Sequence, residues 1–305
     1  MFSTKLDSNI FLIDLKPAGF PNFIASYVIK AEKIAIVETG PIVTVPNLLA
    51  GLKEIEVAVE DVDYVFVSHI HLDHSGGAGL LLSRLPRAKL VVHRRGAPHL
   101  EKPEKLWKQA NQALGEVAEL YGEPVPVPME RIIVAEDEMS FDLGEGVELM
   151  VIETLGHASH HQSFYERSGK RVFPGDTAGI YIPELDVIIP TTPPPLRLET
   201  LLASIEKLKQ LEPELLYYSH FGRQADALEK LQRYIDQLRL WANIIVEMMK
   251  DAATISEIKE EIEKRDPAVH KAKDYIKTNP ALKRDTLSQN IEAFKEYLER
   301  AEEKQ

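Results

Sequence analysis

The stretch YVFVSHIHLDHSGG, Tyr64 to Gly77, decides how this chain is read. A short apolar run passes into His69, His71, Asp73 and His74, and then into Ser-Gly-Gly. The chain holds only 10 histidines in 305 residues, and a plain polar loop after a strand needs no such crowding. In an extended segment, residues two apart point the same way, so His69 and His71 can share one cation. Asp73 and His74, past the bend, can turn to a second.

Three more places put a metal-type residue just after a short apolar strand. VELMVIETLG leads into His157, RVFPG into Asp176 and ELLYYS into His220. Strand C-termini in layered α/β folds gather at one sheet edge, where sites are built. With the loop quartet these make seven candidate ligands, enough for two ions. A carboxylate between two ions neutralises charge and holds them about 3.5–4 Å apart, the spacing of two-metal hydrolases. Gly76, Gly77, Gly156 and Gly175 let the backbone pass close to crowded ligands.

Composition narrows the chemistry. The chain has no cysteine, which leaves His, Asp and Glu as its metal-binding vocabulary. Formal charge is −12 and no Lys/Arg run stands out, so nucleic acid and anionic membranes are not expected partners. A small-molecule substrate is expected instead. The start lacks a basic segment followed by an apolar one, and no apolar run reaches about 18 residues. The expectation is a cytoplasmic protein. Abundant Lys and Glu with sparse Asn and Gln lean towards a thermophile.

Strand-type runs include IFLIDL, FIASYVIK, KIAIVE, DYVFVS, KLVVH, RIIVA, VELMVIE, QSFYE, RVFPGD and ELLYYSH. Helices are expected at Val45–Leu52, in GGAGLLLSRL and at Arg197–Leu211. Glu104–Leu120 reads as one helix inside an insertion at about 100–122. IPELDVIIPTTPPP reads as a proline-rich loop. Beyond about residue 222 helix formers dominate, beginning with one long helix from Arg223. Residues 1–222 are therefore expected to form the catalytic unit and 223–305 an all-helical extension. No internal repeat is evident.

In order and spacing, HIHLDH, TLGH, PGDT and a late YSH resemble the metallo-β-lactamase-fold superfamily over about residues 8–222. The resemblance implies an α/β (α+β) fold, a four-layer αββα sandwich with two sheets face to face and helices outside. It puts His69, His71 and His157 on one metal, and Asp73, His74 and His220 on another, with Asp176 bridging. It implies two divalent ions, zinc foremost, with iron and manganese also suited to N/O ligands. A metal-activated hydroxide would attack an electrophilic carbonyl or phosphorus, with Asp73 orienting the nucleophile or relaying a proton.

Other residues carry weaker expectations. In GHASHHQSFY, His160 and His161 can line the pocket or bond locally; His161 is placed there together with Tyr181 of GDTAGIY. Thr177 is a candidate donor to a ligand. VETGP puts Glu38 where the family usually has an aspartate. His93 and His99 read as structural or surface residues, and His270 as exposed. The leading function is a dinuclear hydrolase of a thioester, lactone or similar ester, on the glyoxalase II and lactonase side of the superfamily. The alternatives are a mononuclear iron persulfide dioxygenase and a non-catalytic interaction protein using the tail. Homodimerisation through the helical segments is a further expectation.

Overall fold

Strand alternation decides which side chains meet. In β3 (Ala25–Lys30), Ala25, Tyr27 and Ile29 face one apolar cluster, whereas Val28 faces another. In β5 (Val62–Phe66), Phe66 joins the first cluster and Val65 the second. The computed structural model describes residues 1–283 and 285–302.

The first sheet adds β1 (Ser3–Lys5), β2 (Ile10–Asp14), β4 (Ile34–Val37), β6 (Lys89–His93) and β7 (Ile132–Ala135). Its strands lie side by side in chain order. They pair antiparallel as far as β4 and parallel from β4 to β7. The second sheet contains β8 (Ser140–Gly144), β9 (Val147–Glu153), β10 (Gln162–Glu166) and β11 (Arg171–Phe173). A separate pair, β12 (Ile180–Ile182) and β13 (Val187–Ile189), follows. β14 (Leu215–Tyr218) and β15 (Gly222–Gln224) complete the second sheet in the order β15-β14-β11-β10-β9-β8.

The sheets meet through large rings. Phe66 stands edge-on to Phe164 at 5.2 Å, and Tyr27 to Phe173 at 5.3 Å. Each such pair contributes about 0.5–1.5 kcal/mol beyond its buried area. At the site edge Gln162 staples the sheets together, its backbone N–H donating to Ser68 O (2.8 Å) and its Nε2 to Val67 O (3.0 Å).

Helices cover both outer faces. α1 (Val45–Glu54) and α3 (Ala78–Arg84) lie on the first sheet, with the one-turn α2 (Leu72–Ser75) inside the histidine loop. Three further helices fill the insertion: α4 (Ala97–Glu101), α5 (Glu104–Leu114) and α6 (Glu116–Tyr121). α7 (Leu198–Gln210) covers the second sheet. The tail comprises α8 (Ala227–Lys250), α9 (Ile255–Arg265), α10 (Pro267–Thr278) and α11 (Thr286–Glu302). α8 packs on α7, and Trp241, Ile244, Ile258 and Phe294 belong to the same buried cluster as Leu201 and Ile205 of α7. Among the described residues no helix is long and apolar enough to cross a membrane.

Several elements differ from expectation. The single helix over Glu104–Leu120 is two, broken at Gly115, whose φ of +53° an L residue rarely adopts. The proline-rich loop begins at the last residue of β12 and contains β13. The long helix starts at Ala227 because Gly222–Gln224 pairs with β14 as an edge strand. Two further strands, β1 and β8, lie outside the expected set.

Candidate metal centre

The parallel pairing of β4 with β5 and of β11 with β14 sends their C-termini to one edge. The segments that follow carry Glu38, His69–His74, Asp176 and His220, and the segment after β9 carries His157. Gly175 makes the close approach possible. Its φ is +55°, and a Cβ there would lie 2.6 Å from Ser68 Cβ and 2.7 Å from His161 Nε2.

The seven residues gather into two groups: His69, His71, His157 and Asp176, and then Asp73, His74 and His220. Within each group the ligand-type atoms lie within 4.8 Å of one another. In the first, His71 Nδ1 is 2.8 Å from His69 Nε2 and 3.1 Å from His157 Nε2. In the second, His74 Nε2 faces His220 Nε2 at 3.3 Å. Asp176 divides its carboxylate between the groups. Oδ2 is 3.4 Å from His157 Nε2, while Oδ1 is 3.2 Å from His74 Nε2 and 3.6 Å from His220 Nε2.

The opposite ring nitrogens are already committed. His74 Nδ1 faces Glu38 Oε1 (3.2 Å), His157 Nδ1 donates to Thr191 O (2.8 Å) and His220 Nδ1 donates to Phe23 O (2.8 Å). In neutral His157 and His220 this fixes the tautomer and leaves Nε2 a bare lone pair aimed into the cluster. Burial, reinforced by neighbouring histidines, pushes His69 and His71 well below the usual imidazole pKa, and burial lowers His157 too. Burial would also lower His74, but the Asp176 and Glu38 carboxylates hold it well above. Burial would raise Asp176, yet His74 and His157 hold it well below the usual carboxylate range.

Lone pairs that face each other repel, and a cation between them removes the conflict. Buried Asp176 Oδ1 has no donor in hydrogen-bonding geometry, although His74 Nε2 is near. An unpaired buried carboxylate oxygen is costly. The donor set therefore fits divalent metal ions, with five imidazoles and two carboxylates.

The profile of the metallo-β-lactamase superfamily matches residues 19–220. The chain belongs to the metallo-β-lactamase superfamily. It is 28% identical over 235 residues to the metallo-beta-lactamase fold-containing protein ST1585 of Sulfurisphaera tokodaii, covering 75% of this chain and 85% of that one. The crystal structure of ST1585 superposes with a TM-score of 0.63 at 26% identity, over 76% of this chain and 86% of that one. The metallo-beta-lactamase family protein TTHA1429 of Thermus thermophilus shares the fold, with a TM-score of 0.70 at 19% identity. That match spans 98% of this chain and 95% of the other, so the shared fold includes the helical tail.

Two expected pocket residues are placed differently. Tyr181 is buried, stacks on Tyr218 at 5.3 Å and donates its hydroxyl to Asp186 Oδ1 at 2.9 Å. His161 is fully buried beneath Asp176 and accepts its backbone N–H at Nε2 (3.1 Å). Thr177 Oγ1 donates to Thr154 O (3.3 Å) and meets His161 Nδ1 at 3.2 Å, so it supports the Asp176 loop from behind; among the described residues its hydroxyl bonds none of the seven grouped residues. His160 is the half-buried neighbour, its ring 5.8 Å from that of His71, and burial lowers its pKa to about 4. Glu38 receives a role that the motif left open. Besides meeting His74, it accepts from Ser68 N (3.3 Å) and Ser219 Oγ (3.1 Å).

Proposed function

We propose that this chain is a dinuclear metal-dependent hydrolase of a small ester-like substrate, a thioester or lactone. The observation that carries the reading is the divided carboxylate of Asp176, which offers Oδ2 to one imidazole group and Oδ1 to the other. His69, His71 and His157 would hold one ion and Asp73, His74 and His220 a second, with Asp176 between them. Zinc suits the donors, as do iron and manganese. When bound, such ions polarise a carbonyl and bring the pKa of water towards about 7.

The protein residues do the rest. Asp73 is the most open of the carboxylates, with its side chain 23% exposed and Oδ2 3.6 Å from His220 Nε2. From that more open position it would orient an attacking water and accept its proton. His71, Asp73 and His160 are the half-buried members, so substrate approaches from their side. His160, neutral down to about pH 4, offers an uncharged ring to the substrate there. The acidic chain, at −12, favours uncharged substrates over nucleic acid.

The test is metal analysis followed by turnover on thioesters, lactones, phosphodiesters and β-lactams. Hydrolysis of a thioester or lactone that a chelator abolishes is expected. Turnover of phosphodiesters alone would reject the substrate class. Oxygen consumption on a persulfide by an iron-loaded chain would replace the hydrolase with a dioxygenase.

A further inference from the structure

The segment after β13 lies between the metal centre and the helical tail. Its carbonyls alternate sides, as in any extended strand. On one side Thr191 O accepts from His157 Nδ1 at 2.8 Å. On the other, tail side chains hold the neighbouring backbone. Asn290 of α11 donates Nδ2 to Pro190 O (2.7 Å) and accepts Thr192 N at Oδ1 (2.9 Å). Gln237 of α8 donates Nε2 to Ile188 O (2.9 Å). Gln237 Nε2 also bonds Asp266 Oδ2, which accepts from Trp241 Nε1 as well.

Local sequence explains why the segment needs outside support. Pro190, Pro193, Pro194 and Pro195 lack backbone donors, so no sheet ladder continues beyond Ile189. Buried backbone groups still need partners. Asn290, 3% exposed and about a hundred residues away in sequence, supplies one donor and one acceptor on the two sides of Thr191. Only one orientation of its amide satisfies both bonds. The rest of the path is short: Thr191 O holds His157 Nδ1–H, and His157 Nε2 points at His71 Nδ1 and Asp176 Oδ2.

We propose that the helical tail is part of the metal centre, with Asn290 the positioning residue that fixes Thr191 and, through it, the His157 ring. The tail thus sets the tautomer and aim of one ligand without touching a metal. The metal readout below rests on the proposed metal site; the proton readout does not.

The test compares the full chain with Asn290→Ala and with Ile291→Val. Ile291→Val is a conservative change at the adjacent, fully buried position of the same helix. Nuclear magnetic resonance of the metal-free proteins reports the His157 imidazole proton. The expected result is a slowly exchanging Nδ1–H in the unaltered chain and in Ile291→Val, lost or fast-exchanging in Asn290→Ala. Zinc competition with a chelator then reports each site. Asn290→Ala is expected to bind one ion about 10-fold more weakly, the scale of outer-shell losses, and to hold the other unchanged. If Asn290→Ala does not fold, Asn290→Asp gives the same readouts, keeping the acceptor for Thr192 N and losing the donor to Pro190 O. A folded Asn290 variant with a protected His157 proton and unchanged zinc affinities overturns the proposal, as does an equal loss in Ile291→Val. If the unaltered chain binds no metal, the hydrolase reading fails and the proton result alone decides this one.

Discussion

Glu38 shows how much of a metal site is set by atoms that no motif records. Its backbone sits at φ +69°, a left-handed conformation that costs a non-glycine residue about 1–3 kcal/mol. In that pose its carboxylate reaches His74, Ser68 N and Ser219 Oγ together. Glu38→Gln keeps the volume and removes the charge behind His74. It should weaken metal binding by about 10- to 100-fold in a chelator competition, the range for outer-shell partners. Unchanged affinity would assign Glu38 a packing role only. Asp73→Ala should abolish turnover and lower the metal content from two ions to one. Undiminished turnover in that variant would remove Asp73 from the mechanism. All seven grouped residues were legible because side-chain chemistry and strand-end spacing are written in sequence. Thr191 was not, because it acts through a carbonyl that every residue has. Nor was Asn290, whose partners lie about a hundred residues away. For His160 and His161 the sequence left a pocket position and local bonding both open, because neighbouring histidines in a turn carry no sign of which is covered.

At the scale of elements, strong periodicity was read correctly and short pieces were missed. α1, α7 and α8 show apolar stripes, and these helices and the short α3 form near their expected places. β12, β13 and β15 have three residues each, too few for alternation to rise above turn signals from Pro, Asp and Gly. Close contacts between elements were hinted at only by glycine. Gly156, at φ +129°, lies under α7, where a Cβ would stand 2.4 Å from the Leu201 backbone. Gly19, at φ +80°, has nothing within 4 Å of an added Cβ. Gly156→Ala therefore combines backbone strain with a collision against a rigid helix and should cost at least about 3 kcal/mol. Gly19→Ala meets strain alone and should cost about 1–2 kcal/mol. Urea unfolding of the metal-free proteins measures both, and equal losses would contradict the packing argument.

For the whole molecule, the composition shift near residue 222 marked the helical tail, but not its partner. An apolar face does not name what it packs on, so the cluster shared by Trp241, Ile244 and Phe294 with α7 became visible only in three dimensions. The histidine cluster is itself buried, which makes global stability depend on its protonation. Burial lowers the pKa of His69, His71, His157 and His161, and takes His160 to about 4. In the unfolded chain these rings titrate near 6.5. A lowered histidine stabilises the fold above that value, and the contribution is lost as pH falls towards the folded pKa, because the unfolded state then binds more protons. His74 has the opposite sign: burial lowers it, Asp176 and Glu38 raise it further, and its contribution is present below 6.5 and lost as pH rises through its folded value. Five lowered rings outweigh one raised ring. The metal-free chain should therefore melt at progressively lower temperature as pH falls from 7 towards 5; a rising Tm would overturn the balance. A bound ion adds stabilisation by mass action, about 2.7 kcal/mol at a free concentration 100-fold above its Kd. Chelator treatment at pH 7 should lower the Tm accordingly, and that gap should narrow towards pH 5, where protons compete with the ion for the same imidazole lone pairs.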